Sequence, residues 1–389
     1  MKSVIKKMLL LGIIEILIIY YIFFKGYAFE YFFDLGGLGI LVLTLLTTAV
    51  IYIPMYMIKY YIRKKDCFDI SNFKGEFDSN FEILYQELYQ EHIVDLEVKR
   101  KKARLSTIIF NFFLVWTFVG YLFCELESVA ISKAIDSQIE SSTLFAILGL
   151  IAVLFWNGKN VKEYKTKYKQ EIVKTFIDSL RKNITYNPYN VLEEKQIEQC
   201  YRAAAFDNKS FNRFYADDSI EGYIDNEVYA KIADLQIKHV TGSGKNKSVV
   251  IRFEGLFAVT NCKANFRTPV KISKNAVPLL KAVNAVELDN EEFERFFDVY
   301  SDEKILAVRI LTHDVMECLL DFYQKYKIQY ELVFKGQVIN IRFYTGPMFE
   351  PKIFGSSMDK ELLYVYYLIL KFVIDLTKTV NKELQNFEI

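Results

Sequence analysis

Residues 241–248 read TGSGKNKS, a glycine- and lysine-rich run of the kind that cradles phosphate. A nucleotide loop of that type needs GxxxxGK followed by Ser or Thr. It must also open a helix, so that backbone N–H groups and the helix dipole converge on the phosphates. Here Gly244-Lys245 is followed by Asn246, and the residue five before Gly244 is His239. The next stretch is SVVIRFEGLF, which alternates like a strand. Glycines supply positive backbone angles for a turn and lysines keep its tip in water. The segment is predicted to be a hairpin loop and not a nucleotide site.

Other reactive residues are dispersed. His313-Asp314 with Glu317 could suggest acid–base or metal chemistry, but Asp314 in a first helical turn complements the helix dipole. The three histidines, His92, His239 and His313, form no HExxH or other ligand spacing. Glu291, Glu292 and Glu294 read as a helix start and its solvated face. Neither a GxSxG elbow nor a catalytic cysteine signature is present. The five cysteines (Cys67, Cys124, Cys200, Cys262, Cys318) lack a CxxC pair and read as free, reduced thiols. No metal and no cofactor is expected. No biochemical activity is disclosed by these residues.

Four apolar runs occupy the first 160 residues: 8–24, 38–58, 106–126 and 142–156. A helix needs ~20 apolar residues to cross a bilayer, and on that measure the four runs read as two membrane hairpins. Basic residues flank them on one side only: Lys2, Lys6 and Lys7; Lys59, Arg63, Lys64 and Lys65; Lys99 to Arg104; and Lys159 to Lys169. Between paired runs only Lys25 and Lys133 are basic. That asymmetry predicts a multi-pass protein of the inner (cytoplasmic) membrane with both termini cytoplasmic. In that reading Glu15 and Asn111 are a candidate intramembrane polar site. Lys99, Arg100, Lys101, Lys102 and Arg104 are candidate anionic-lipid contacts. Alternatively the first run is a signal peptide cleaved at Gly26-Tyr27-Ala28.

Beyond the runs the pattern turns amphipathic. Phe77, Phe81, Leu84, Leu88, His92 and Leu96 share one helical face, as do Val161, Tyr164, Tyr168, Ile172, Phe176 and Leu180. Both are expected to form a stalk projecting ~30 Å. After the Asn187-Pro188 break, strands are expected around 235–239, 251–257, 328–334 and 337–344, the last two joined by a Lys335-Gly336 turn. Helices are expected near 290–297, capped by Asp289 with Glu292, and at 302–311, 313–326 and 359–386, with Ser301 and Thr312 as caps. The charged stripe Lys371, Asp375, Lys378 and Lys382 argues against a fifth span.

The fold class predicted is therefore an integral membrane α-helical region, four spans as two hairpins, plus a cytosolic α+β domain on a helical stalk. Its expected parts are an N-terminal membrane hairpin (1–60), stalk helices with a second hairpin (61–183) and the cytosolic domain (184–389).

DDSIEG (217–222), FEGLF (253–257), ELDNEEFERFFDVYSDE (287–303) and ILTHDVMECLL (310–320) resemble the bacterial domain-of-unknown-function family 3137 over roughly residues 75–389. The resemblance implies a helical segment, a pair of membrane helices and a cytoplasmic domain. It implies no catalytic residue. The family commonly has proline where this chain has His313, and residues 1–60 look like an addition. The expected function is a membrane-anchored scaffold binding a protein partner through its cytosolic domain. An enzyme or transport component is the alternative. Expected partners are the lipid bilayer, that protein and a further copy of the chain. The near-neutral net charge of +1 gives no sign of a nucleic-acid partner.

Overall fold

The computed structural model describes residues 77–128 and 136–384, apart from 181–182, 189–190, 207–209, 225, 227, 244–246, 276–284 and 357. Within 112–148, and at 150 and 191–193, it describes backbone without side chains, except Gly149. The chain divides into two compact units, residues 1–66 with 114–149 and residues 67–113 with 150–389. Of the first unit, only helical backbone at 114–128 and 136–149 is described. The second holds the sheet and the helices packed on it.

Helix α1, Ser79–Ser128, begins where Asp78 accepts from Asn80 N at 2.9 Å through its carboxylate. Helix α2 spans Asp136–Lys167 and runs into a π-helical turn, Tyr168–Val173, then α3, Lys174–Leu180. Ser106 Oγ and Thr107 Oγ1 each lie 3.0 Å from Asn157 Oδ1, so α1 and α2 run side by side there.

Among the described residues no helix is long and apolar enough to cross a membrane. The expectation of four spans, and with it the multi-pass inner-membrane placement, is corrected on that finding. The runs at 8–24 and 38–58 lie outside the described residues. Those at 106–126 and 142–156 are stretches of helices of 50 and 32 residues that continue into strongly charged turns.

The projecting stalk is corrected as well. The predicted stripes exist, but they face inward. Phe81, Leu88 and Leu96 of α1, with Tyr164, Tyr168, Ile172 and Phe176, are buried in the same core as the sheet. Phe81 packs 4.8 Å from Tyr364, and Tyr85 OH donates to Met358 O at 3.0 Å. Burying such side chains contributes ~1.5–3 kcal/mol each, which is why the helices lie on the sheet.

The sheet is antiparallel and runs β1 (Ile184–Pro188), β2 (Arg213–Tyr223), β3 (Tyr229–Thr241), β4 (Ser248–Lys274), β5 (Phe297–Tyr300), with β6 (Tyr330–Phe343) also paired to β4. Thr241 faces Ser248, so TGSGKNKS does connect a hairpin. β6 is itself folded back. Tyr344 N donates to Gln329 O at 2.9 Å, and Arg342 reaches Glu331 at 2.7 Å, which a straight 14-residue strand of ~46 Å could not allow. The turn lies at Gly336, φ 61°, as the sequence predicts. Residues 338–343 pair with 256–261 of β4 and 332–334 with 270–272. β4 therefore curves around the β6 hairpin.

Helix α4 (Val191–Ala204) covers the face bearing Leu235, Ile237, Phe253 and Phe257. The other face carries α5 (Glu291–Glu294), α6 (Lys304–Ile310), α7 (His313–Tyr326) and α8 (Lys360–Glu383). Asn290, and not Asp289, caps α5, accepting from Phe293 N at 3.0 Å. The α6 cap is Glu303, with Ser301 Oγ accepting from its N–H at 3.1 Å. Thr312 caps α7 by position, without a side-chain bond. Asp359 caps α8, accepting from Leu362 N at 3.1 Å.

Candidate functional site

Two backbone irregularities meet in the core. The first is the π-helical turn, whose wider winding turns both Tyr168 and Lys169 inward. The second is a bulge in β2, where register with β3 breaks between Ala216 and Ser219. A bulge re-aims side chains, and this one brings Asp217 and Asp218 to Lys169. The lysine ammonium lies 2.7 Å from Asp218, 3.0 Å from Asp217 and 3.0 Å from Glu350. Tyr186 of β1 donates to the other oxygen of Asp218 at 2.5 Å. Lys165, one turn earlier on α2, binds Glu350 at 2.6 Å. Opposite the bulge, Asp234 of β3 accepts from Met348 N at 2.8 Å.

Electrostatics assigns each group a role. Burial opposes the Lys169 charge, but Asp218, Asp217 and Glu350 together hold its pKa above the ordinary lysine value. Asp218 is pushed up to about 6 by desolvation, with Lys169 and Tyr186 pulling the other way. Desolvation likewise raises Asp234 well above the usual carboxylate range, its bond from Met348 opposing. For Glu350 burial raises, yet the lysines at 165 and 169 prevail and leave it lowered. Lys169 is thus neither nucleophile nor base. Asp218 is the carboxylate of the Lys169 cluster whose hold on a proton burial strengthens.

Asp217, Asp218 and Glu350 bring ligand oxygens within 4.8 Å of one another, a donor set of the right type for a divalent cation. The Lys169 ammonium already sits among them. The cluster ties together the π-turn, β1, β2 and the segment after β6, with the lysine as its internal cation.

The residues singled out in the sequence lie elsewhere. Glu15 is outside the described residues. Asn111 is exposed on α1. Lys99 pairs with Glu163 at 3.4 Å. Arg100 is buried, paired to Glu97 at 2.8 Å and donating to Ile353 O at 3.1 Å. Arg104 lies over the Phe354 ring at 5.9 Å, while Lys101 and Lys102 are exposed. The sequence reading missed Lys169 as a site because it counted that residue among flanking charges. Its place beside Tyr168 on a buried stripe was the available signal.

Residues 251–382 match the model of a family described as protein of unknown function (DUF3137). That segment is similar to the DUF3137 family. The match supports the resemblance over a narrower stretch than 75–389, from within β4 to the end of α8. Lys169 and Asp218 lie before the matched segment and Glu350 within it. No curated protein matches the chain. Among solved structures, the mycobacterial trehalose monomycolate transport factor A, TtfA, is similar at 10% identity, covering 58% of this chain and 96% of that one, with a TM-score of 0.33. A similarity that slight transfers neither fold nor function.

Proposed function

We propose that the unit containing the DUF3137-like segment is a protein-binding module without catalysis of its own. The observation that carries this reading is a row of exposed apolar side chains on α1. Ile83, Val94, Val98, Leu105 and Ile108 are 62%, 75%, 59%, 54% and 48% exposed. At 100° per residue they fall within about 80° of one another. Scattered exposed aliphatics are ordinary, whereas an aligned row marks an interaction surface.

Buried ionisable groups would favour an enzyme instead. At Lys169, however, the ammonium is engaged by Asp217, Asp218 and Glu350 and stays protonated. The cleft between α6 and Val286-Glu287, about 340 Å³, is a surface groove without converging catalytic groups.

The test is capture of partners by the full-length chain and by Val94→Asp with Val98→Asp. A stoichiometric protein recovered by the first, and reduced at least about tenfold by the second at unchanged thermal stability, supports the reading. Equal recovery by both overturns it.

A further inference from the structure

β4 is paired on both sides only in part. Residues 248–251 and 253–260 pair with β3, with the register shifting at Arg252, but pairing to β6 begins only at Leu256. Among the described residues, 248–253 therefore present an open strand edge with main-chain donors and acceptors unused on one side. An open edge is a template for another strand.

Along the edge itself, residues 247–253 carry Lys247 and Arg252 and no acidic residue, and Glu254 follows. Val249 and Val250, adjacent and thus on opposite faces, are 47% and 44% exposed. Arg252 Nε is buried without a hydrogen-bond partner, so this guanidinium holds unused donor capacity.

We propose that the Ser248–Phe253 edge of β4 accepts an extended, acidic segment of a protein partner, which adds a strand to the sheet and places carboxylates against Lys247 and Arg252. This rests on the protein-binding reading but uses a surface separate from the α1 row.

The experiment uses the full-length chain and a fluorescent peptide of alternating valine and glutamate. Controls are a valine–lysine peptide, a valine–glutamate peptide N-methylated at alternate residues, and a single-stranded oligonucleotide of equal charge. Expected is saturable binding of the acidic peptide alone, weakened at least tenfold by Lys247→Glu with Arg252→Glu. N-methylation keeps the side chains and removes the strand donors, so it should abolish binding. No binding of the acidic peptide, equal binding of the N-methylated form, equal binding of the oligonucleotide, or indifference to the double substitution would each overturn the proposal. Loss of captured partner in the α1 variant alongside a failed peptide assay would sink this inference and leave the binding-module reading standing.

Discussion

Lys169 Nζ lies 2.7 Å from Asp218 Oδ2, and neither side chain has any exposed surface. A charge pair so enclosed is costly to desolvate and costlier to break, since removing one partner strands the other. Lys169→Met should destabilise the protein by about 3–5 kcal/mol in urea unfolding. Adding Asp218→Asn should recover part of that loss. A double variant as unstable as the sum of both single ones would mean the two side chains are not coupled.

The pH response of Asp218 has a definite sign. Its folded pKa, about 6, lies above the ordinary 3.8, so the folded state binds the proton more tightly. This group therefore favours folding below pH 4, and the contribution is lost as pH rises through 6. The stability of wild type minus that of Asp218→Asn should fall as pH rises from 4 to 7, by roughly 2 kcal/mol. A difference that stays flat, or rises, contradicts the assignment. Lys169 keeps its proton throughout and adds no slope.

Two glycines separate strain from clash. Gly336 has φ 61° and open space around a built Cβ, so Gly336→Ala should cost only about 1 kcal/mol. Gly255 has φ 149°, and a Cβ there would sit 2.1 Å from Phe343 O, which is backbone and has nowhere to go. Gly255→Ala should cost more than about 3 kcal/mol or prevent folding. Thermal unfolding of both variants checks the order.

Thiol reactivity tracks burial. Desolvation pushes Cys262 up to about 11 and Cys318 up to about 12. At pH 8 both should resist a thiol-specific reagent in the native protein and react fully once unfolded. Peptide mapping by mass would show the difference residue by residue.

The letters reveal the regular part of this molecule. The inward stripe Tyr164, Tyr168, Ile172 and Phe176, the hairpin at 241–248 and the turn at Lys335-Gly336 are all consequences of period and turn chemistry. The shift of a cap from Asp289 to Asn290 is one residue of helix-end ambiguity. The candidate site was illegible for two reasons. Its members, Lys169, Tyr186, Asp218 and Glu350, are far apart in sequence. The π-turn and the β-bulge that aim them also break the periodicity on which the reading depends. The spans failed differently: the helices do continue beyond 106–126 and 142–156, as expected, but they lie on the sheet instead of projecting as a stalk.

The curve of β4 around the β6 hairpin sets an order of events on the ribosome. Ile272 is synthesised 71 residues before Phe343, about ten seconds earlier at ordinary elongation rates. Until Phe343 emerges, the middle of β4 has no neighbour on one flank, and the nascent chain carries an unfinished strand for that interval. Chains stalled at residue 300 should be cut by protease within β4, and full-length chains stalled on an added C-terminal linker should be protected there.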